Sequence, residues 1–360
     1  MNSTLPNRIF SGYHQEGHVQ GIVVDALRGY VYYSFTTILL KTDLLGNAIG
    51  SVCNLAGHLG CLTYDADDNR IYGSLELKHD GIGMGIIRRT GWDPSSEDSF
   101  YLVSFDAEKI DRMNMDAEKD GVMRAVYLRD AVKDYLETDE ASGQKHRYGC
   151  SGIDGTAFGP VFGAEKNSEK KIMIAYGVYR DTDREDNDYQ VILQYDKSVI
   201  AEYALPLNQE APHHSGPDTF EKRYFFYTGN THYGIQNLEY DPYSENWFVA
   251  VYPGKKETFT NFPMFVIDGK KAPTEQPLRG RGGEMGLVLA NAGLGEVGTG
   301  GEICGSQFAY GSTGFASLGD GTFYISHPHA NKETRTFAST VVKYRYTPEK
   351  SELFEEEIEK

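Results

Sequence analysis

The sequence predicts an all-β fold, and three observations support this prediction. The 360 residues include 25 Tyr and 18 Phe, which favour strands, and 40 Gly, which favour tight turns. Helix-like spacing is confined to residues 107–119 and 129–140, and both segments lie between strand-like runs. A strand–turn–strand pattern also recurs along the chain. We therefore expect one domain over residues 1–360, with a partly helical insertion around 107–145.

The recurring unit begins with a histidine, continues as an apolar strand that ends in aspartate, and returns as a strand rich in aromatic residues. Three copies start at His18, His58 and His232 and read HVQGIVVDALRGYVYYSF, HLGCLTYDADDNRIYGSL and HYGIQNLEYDPYSENWFVAVY. Weaker copies start at Tyr148 and Tyr310. An Asp-containing turn between two such strands is typical of a β-hairpin.

Further strand candidates follow each hairpin and give five units of roughly four strands each. In the third unit the fourth strand is placed between 199 and 229, and in the fourth unit the outer strands are placed at 263–269 and 285–290. The N-terminal run 7–10 is expected to complete the fifth sheet. This pattern predicts a five-bladed β-propeller closed by an N-terminal strand. A six- or seven-bladed propeller is the alternative, if another sheet lies around residue 213 or within 279–312.

The charge balance restricts the partners. The chain carries 35 Lys and Arg against 52 Asp and Glu, a net charge of −17, whereas nucleic-acid binding needs a basic face. No segment approaches the ~18 apolar residues of a transmembrane helix, and no secretion signal is visible. The four cysteines lack a CxxC pair and are expected to be reduced. We expect a cytoplasmic protein with neither nucleic-acid nor membrane partners, of open oligomeric state.

The histidines indicate where chemistry could occur. His18, His58 and His232 precede or begin the innermost strands of three units, so their rings are expected to meet at one mouth of the central channel. Imidazole is a common ligand of divalent metals and a proton carrier near neutral pH. His79 ends a second strand on the same predicted face, and Arg180 lies in the corresponding loop of the third unit, where a guanidinium could bind a carboxylate.

The fifth unit contains a short H-x-H motif, Ser326-His327-Pro328-His329-Ala330. Alternate residues of a strand lie on the same side, so the two rings could chelate a metal. The stretch resembles the ITHPHPSF segment of the oligogalacturonate lyases, seven-bladed propeller enzymes that bind manganese. That resemblance implies metal binding by His327 and His329, although Tyr324 stands where the family has Gln. The rest of the chain resembles β-propeller proteins of gut bacteria to which no chemistry is assigned.

Together these features predict a metal-assisted enzyme that acts on a small carbohydrate, most simply a lyase for uronate-containing oligosaccharides. The predicted catalytic residues are His58, His232, His79 and Arg180, with His58 or His232 as general base. The predicted ligands of a divalent ion such as Mn, Zn or Ca are His18, His58, His232, His327 and His329. A glycoside hydrolase on the same scaffold and a non-catalytic propeller that binds a ligand or protein remain alternatives.

Overall fold

The computed structural model describes residues 5–93, 97–140 and 143–358, and these form a five-bladed β-propeller. Each blade is built on an antiparallel sheet whose first strand lies innermost, and blades 1 and 3 gain further strands through parallel pairing. The predicted all-β class and blade number are confirmed. No helix in the described ranges is both long and apolar enough to cross a membrane.

The first two blades follow the sequence repeat closely. Blade 1 consists of Val19–Asp25, Tyr30–Phe35, Ile38–Asp43 and Ala48–Cys53. Blade 2 consists of His58–Asp65, Arg70–Leu77, Ser99–Asp106 and Met123–Tyr127. The short strand Met115–Asp116 extends blade 1 by pairing in parallel with its outer strand.

Blades 3 and 4 depart from the expected four-stranded pattern. Blade 3 consists of Cys150–Pro160, Lys170–Val178, Tyr189–Tyr195 and Lys222–Tyr227. It is extended by Met285–Val288 and Thr274–Pro277. Blade 4 is the three-stranded sheet of Thr231–Asp241, Asn246–Pro253 and Met264–Ile267. A small ribbon, Glu296–Val297 with Cys304–Gly305, forms a separate sheet near it.

The strand expected at 285–290 therefore belongs mainly to blade 3. Tyr224 and Phe225 pair with Leu287 and Val288, whereas Asn291 forms only an isolated bridge with Ile267 of blade 4. This apolar segment pairs with the outer strand of blade 3. The local sequence does not indicate which blade it joins.

Blade 5 closes the ring with chain from both ends of the sequence. It consists of Phe315–Ser317, Thr322–Asn331, Thr336–Tyr346 and the N-terminal Arg8–Phe10. Ile9 pairs with Val341, as the sequence predicts. Phe354–Glu356 pairs with the C-terminal end of the strand Thr336–Tyr346. Apolar side chains fill the space between neighbouring blades, including the junction of blades 5 and 1.

The repeated aspartates have one local role. Each side chain accepts a backbone N–H inside the turn that follows it: Asp25 from Arg28 at 3.0 Å, Asp65 from Asp67 at 3.0 Å and Asp241 from Ser244 at 2.9 Å. A carboxylate that bonds the backbone two or three residues ahead stabilises such a turn. These turns lie at the end of the channel opposite the histidines.

The helices are short and differ partly from expectation. Arg129–Leu136 is helical as predicted, but 107–119 contains turns and the strand Met115–Asp116. Gly81–Thr90 forms a helix despite its glycines, because Asp80 accepts the N–H groups of Ile82 and Gly83 at its start. The helix Lys197–Tyr203 overlaps the start of the segment predicted to hold the fourth strand of blade 3, and that strand begins only at Lys222.

Candidate functional site

Polar side chains from blades 1 to 4 meet at one end of the channel, which we call the polar mouth. Its members, defined by the contacts below, are His18, Gln20, His58, Glu76, Lys78, Asp80, Arg89, Asp154, Arg180, His232, Gln236 and Lys255. The inner strands are irregular here: their pairing registers shift between Val19 and Gly21, between Leu59 and Leu62 and between His232 and Ile235. Such bulges redirect side chains at a channel rim.

The centre of the polar mouth is a buried ion pair. Nζ of Lys78 lies 2.7 Å from Oε2 of Glu76, and the two residues are only 6% and 3% exposed. Lys78 also donates to the carbonyl of Ser151 at 2.8 Å, and Asp80 lies 3.5 Å from the ammonium. Burial alone would lower the pKa of Lys78, but Glu76 and Asp80 outweigh it and raise the pKa above the ordinary value. Lys78 is therefore a fixed positive charge.

Asp154 of blade 3 completes this cluster. Its Oδ2 accepts a hydrogen bond from Nε2 of Gln236 at 3.0 Å, and Gln236 also donates to the carbonyl of Tyr233. Burial, reinforced by the nearby carboxylate of Glu76, raises the pKa of Asp154 well above its ordinary value. One ammonium thus faces several carboxyl groups, an arrangement that favours the protonated form of Asp154.

His58 lies between the two buried carboxyl groups. Its Nδ1 is 3.7 Å from Oε2 of Glu76 and 3.7 Å from Oδ1 of Asp154, and it has no hydrogen-bond partner among the described residues. Burial, followed by the repulsion of Lys78, lowers the pKa of His58 to about 3. The ring is neutral near pH 7 and is a weak base, since a proton on it would be costly in this position.

His18 and Arg89 form the solvent side of the mouth. The amide nitrogen of Gln20 donates to Nε2 of His18 at 2.9 Å. The surrounding protein and the guanidinium of Arg89 lower the pKa of His18. Arg89, near the end of Gly81–Thr90, lies over Gly17, where a Cβ would come within 2.6 Å of Nη1.

His232 begins the corresponding position of blade 4 and is the least constrained histidine of the mouth. Its ring packs against Tyr233 with centroids 3.8 Å apart, and its buried Nδ1 has no partner in the described chain. Burial, and then the positive charges of Arg180 and Lys255, lower the pKa of His232. A neutral imidazole therefore lies near two cations.

Three predicted site residues lie apart from this cluster. Both ring nitrogens of His79 face carboxylates, with Nδ1 3.0 Å from Asp98 and Nε2 3.1 Å from Asp93. These contacts raise the pKa of His79, with Asp98 as the main cause. The ring therefore takes part in a local carboxylate–imidazole cluster beside the helix Gly81–Thr90. His79 follows Lys78 in the chain, but its ring pairs with Asp93 and Asp98, which are not members of the polar mouth.

The H-x-H motif lies within the second strand of blade 5, and its two rings share one side of that strand. His327 stacks on Tyr310 with centroids 3.6 Å apart, and its Nε2 lies 3.0 Å from the hydroxyl of Tyr344. Nε2 of His329 lies 2.8 Å from the hydroxyl of Thr340. The partners of both rings are aromatic and hydroxyl side chains of blade 5 and its neighbouring segments.

The described residues do not fit the predicted metal centre. In residues 5–93, 97–140 and 143–358, no group of three or more His, Cys, Asp or Glu side chains is arranged to hold an ion. His18, His58 and His232 lie at the mouth, whereas His327 and His329 have separate partners. At the carboxylate cluster, the ammonium of Lys78 already occupies the place of a cation. The five predicted histidine ligands are therefore not brought together in one site.

The sequence reasoning missed Glu76, Lys78 and Asp154. A signal for the first two existed, because LELK, at the end of the largely buried strand Arg70–Leu77, carries charges at alternate positions, the second just beyond the strand. Alternate residues share a face of the strand, so these two charges point to the same side. Asp154 carried no comparable signal, because its place beside Glu76 depends on the packing of blade 3 against blade 2.

The fold and site together define a five-bladed β-propeller with a buried acid–base cluster at one mouth. No family model matches the chain, and no curated protein matches it. Among solved structures, the PQQ domain of pyranose dehydrogenase from Coprinopsis cinerea has a TM-score of 0.38 at 11% identity, covering 89% of this chain and 81% of that chain.

A carbohydrate-active enzyme of family AA12 from Trichoderma reesei has a TM-score of 0.42 at 10% identity, covering 89% of this chain and 80% of that chain. An exo-β-1,3-galactanase from Phanerochaete chrysosporium has a TM-score of 0.41 at 9% identity, covering 95% and 65%. Likeness at this level assigns no activity to the chain.

Proposed function

We propose that the protein is an enzyme that cleaves a small acidic carbohydrate by β-elimination at the polar mouth. The proposal rests first on His232, whose buried Nδ1 has no hydrogen-bond partner in the described chain and whose pKa is lowered by burial and by the charges of Arg180 and Lys255. It rests also on Asp154 at the same mouth, because burial raises the pKa of this carboxyl group well above its ordinary value. Elimination next to a carboxylate needs this set: a cation for the carboxylate, a base for the adjacent proton and an acid for the leaving oxygen.

The cations supply the substrate preference. The chain as a whole has a net charge of −17, which repels an anion, yet Arg89, Arg180 and Lys255 lie close enough to the mouth histidines to lower their pKa values. A guanidinium binds a carboxylate through two parallel hydrogen bonds. A uronate is therefore favoured over a neutral sugar by this local field.

The side chains of the polar mouth are sufficient for each step of the β-elimination. Arg180 and Lys255 bind the substrate carboxylate and stabilise the negative charge that develops on it. His232 accepts the proton from the carbon next to the carboxylate, and that electron pair forms a carbon–carbon double bond. The bond between the next carbon and the glycosidic oxygen breaks, and Asp154 protonates the departing oxygen. Water then returns both side chains to their starting states.

The low pKa of His58 favours His232 as the base, where the sequence left both residues open. A group with a pKa of about 3 is a poor match for proton abstraction near neutral pH, whereas general bases work best with a pKa near the working pH. We assign proton abstraction to His232. Neutral His58, between Glu76 and Asp154, is suited to orient a sugar hydroxyl and to hold the Asp154 carboxyl in place.

The buried pair of carboxyl groups favours one alternative, a glycoside hydrolase on the same site. Glu76 and Asp154 flank His58, and the high pKa of Asp154 suits a general acid in either reaction. Hydrolysis, however, also needs a free carboxylate as base or nucleophile, and Glu76 is paired with Lys78 and with the N–H of Ile153.

A substrate panel tests the proposal. The purified protein is incubated with oligogalacturonides, other uronate oligosaccharides and their carboxyl-reduced neutral counterparts, and both ultraviolet absorbance and reducing ends are followed. Elimination produces one unsaturated product for each new reducing end, from acidic substrates alone. New reducing ends without unsaturation would support the hydrolase, and binding without either would support a non-catalytic propeller.

A further inference from the structure

The end of the channel opposite the polar mouth holds a cavity of about 340 Å³. All five innermost strands contribute to its lining, and we call it the Glu239 cavity. Its principal lining residues are Ile22, Leu62, Phe158, Glu239, Tyr240 and Ser317. This volume lies within the range of pockets that bind small molecules.

The Glu239 cavity is separated from the polar mouth by contacts across the channel. The side-chain amide of Asn237 donates to the carbonyl of Gln20 at 2.9 Å and to that of Ser312 at 3.1 Å. The inner strands also approach closely, since a Cβ at Gly21 would lie 2.7 Å from the backbone nitrogen of Leu62. A ligand in the Glu239 cavity therefore occupies a site of its own.

Among the described residues that line this cavity, Glu239 alone carries a carboxyl group. Its Oε1 accepts the N–H of Ser317 at 2.8 Å, and no Lys or Arg of the described ranges forms an ion pair with it. Burial raises the pKa of Glu239 to about 8, against the effect of the Ser317 hydrogen bond and with a contribution from Asp241. The carboxyl group thus lies in a place where a positive charge would be favourable and none is supplied.

Two exposed residues that line the cavity carry positive charge. Lys166 and Lys170 line it, both are exposed, and neither forms an ion pair within the described chain. The apolar side chains of Ile22, Leu62 and Phe158 line the same cavity. The cavity therefore combines one carboxyl group, two ammonium groups and an apolar wall.

We propose that the Glu239 cavity binds a small zwitterion such as an amino acid, with its ammonium group against Glu239 and its carboxylate against Lys166 and Lys170. The side chain of the ligand packs on the apolar wall. The ammonium supplies the counter-charge that an ionised Glu239 lacks, and the hydrogen bonds between them are charge-assisted, which makes them stronger than hydrogen bonds between neutral groups. This inference is independent of the reaction at the polar mouth.

Titration calorimetry of the full protein with alanine, leucine and phenylalanine tests the proposal. At least one of them is expected to bind, its amide derivative, which lacks the carboxylate, to bind at least several-fold more weakly, and its N-acetyl derivative, which lacks the ammonium, at least tenfold more weakly. Binding at pH 7 is also expected to release a proton from Glu239, so the heat should vary with the ionisation enthalpy of the buffer.

Two variants with the same change of charge give the control. Glu239→Gln is expected to lower affinity at least tenfold, whereas Glu165→Gln, on the exposed segment before Lys166, leaves it within twofold. Circular dichroism shows whether Glu239→Gln remains folded, and the wild-type comparison of the three ligand forms needs no variant. No binding of any amino acid, or equal binding of the amino acid and its N-acetyl form, would overturn the proposal.

Discussion

Glu76 and Lys78 form an ion pair at 2.7 Å in the interior of the protein, and Glu76 also joins two blades. Its second oxygen accepts the N–H of Ile153 at 2.7 Å, so a side chain from blade 2 holds the backbone of blade 3 beside the channel. Asp154 follows directly in the chain. The pair therefore positions the proposed acid of the polar mouth.

Replacement of Lys78 by methionine should destabilise the protein strongly. Lys78→Met leaves Glu76 buried without a counter-charge, and removal of one partner of such a pair costs about 3–5 kcal/mol. The free energy of unfolding in urea measures this. In a Glu76→Gln background the same change should cost less than half as much, and a single-variant cost under about 1 kcal/mol would mean that the pair is not buried as described.

Gly152→Ala should disturb the same contact by a different route. A Cβ at position 152 would lie 1.7 Å from Oε1 of Glu76, and the residue has φ +137°, a region that side chains rarely adopt. Strain and displacement of Glu76 together should lower the unfolding free energy by about 2–5 kcal/mol. Gly121→Ala is the matched control: its φ is +64° but no atom lies near the new Cβ, so a loss of about 1 kcal/mol is expected. Equal losses would exclude the clash with Glu76.

Closure of the ring by the N-terminal strand predicts a stability effect at Ile9. Ile9 is 1% exposed between blades 5 and 1, and its neighbour Phe10 is 44% exposed. Ile9→Ala should cost about 2–4 kcal/mol, whereas Phe10→Ala should cost about 1 kcal/mol or less. Urea unfolding of both variants provides the measurement, and the reverse order would contradict the described register.

The buried neutral ring of His58 predicts a pH-dependent stability. Between pH 6.5 and about 3 an unfolded chain protonates this ring while the folded protein does not, since burial lowers the pKa of His58 to about 3 in the fold. The free energy of unfolding contributed by His58 must therefore fall with falling pH, by up to about 1.4 kcal/mol per pH unit. The wild-type protein should lose stability more steeply than His58→Gln over this range. Parallel curves for the two proteins would show that His58 is not buried in its neutral form.

Much of the fold could be predicted because its signals are local. Asp25, Asp65 and Asp241 each end an inner strand and bond the following turn, so the repeat in the sequence is a repeat of one hairpin. The run 7–10 could be assigned to the last blade because ring closure needs an edge partner. The segment 285–290 was predicted as a strand but assigned to the wrong blade. Its partners Tyr224 and Phe225 are distant in sequence, and the strands of blade 4 are equally apolar.

The candidate site was predicted only in part. The positions of His18, His58 and His232 follow from the repeat, which places them at equivalent points of three blades. Their chemistry does not follow from it, because the pKa of each ring depends on groups from other blades, such as Lys78, Arg89 and Arg180. The carboxyl groups that flank His58 come from the second strand of its own blade and from blade 3, and only the packing of blades brings Asp154 beside it.

The most direct test of the central claim is the rate of formation of unsaturated product from a uronate oligosaccharide by His232→Ala. General base catalysis contributes about 10²–10⁴-fold, so this variant should lose at least 100-fold in kcat with an unchanged urea midpoint. His214→Ala, an exposed histidine outside the mouth, should retain the wild-type rate. A folded His232→Ala protein that forms product at the wild-type rate would contradict the assignment of proton abstraction to the polar mouth.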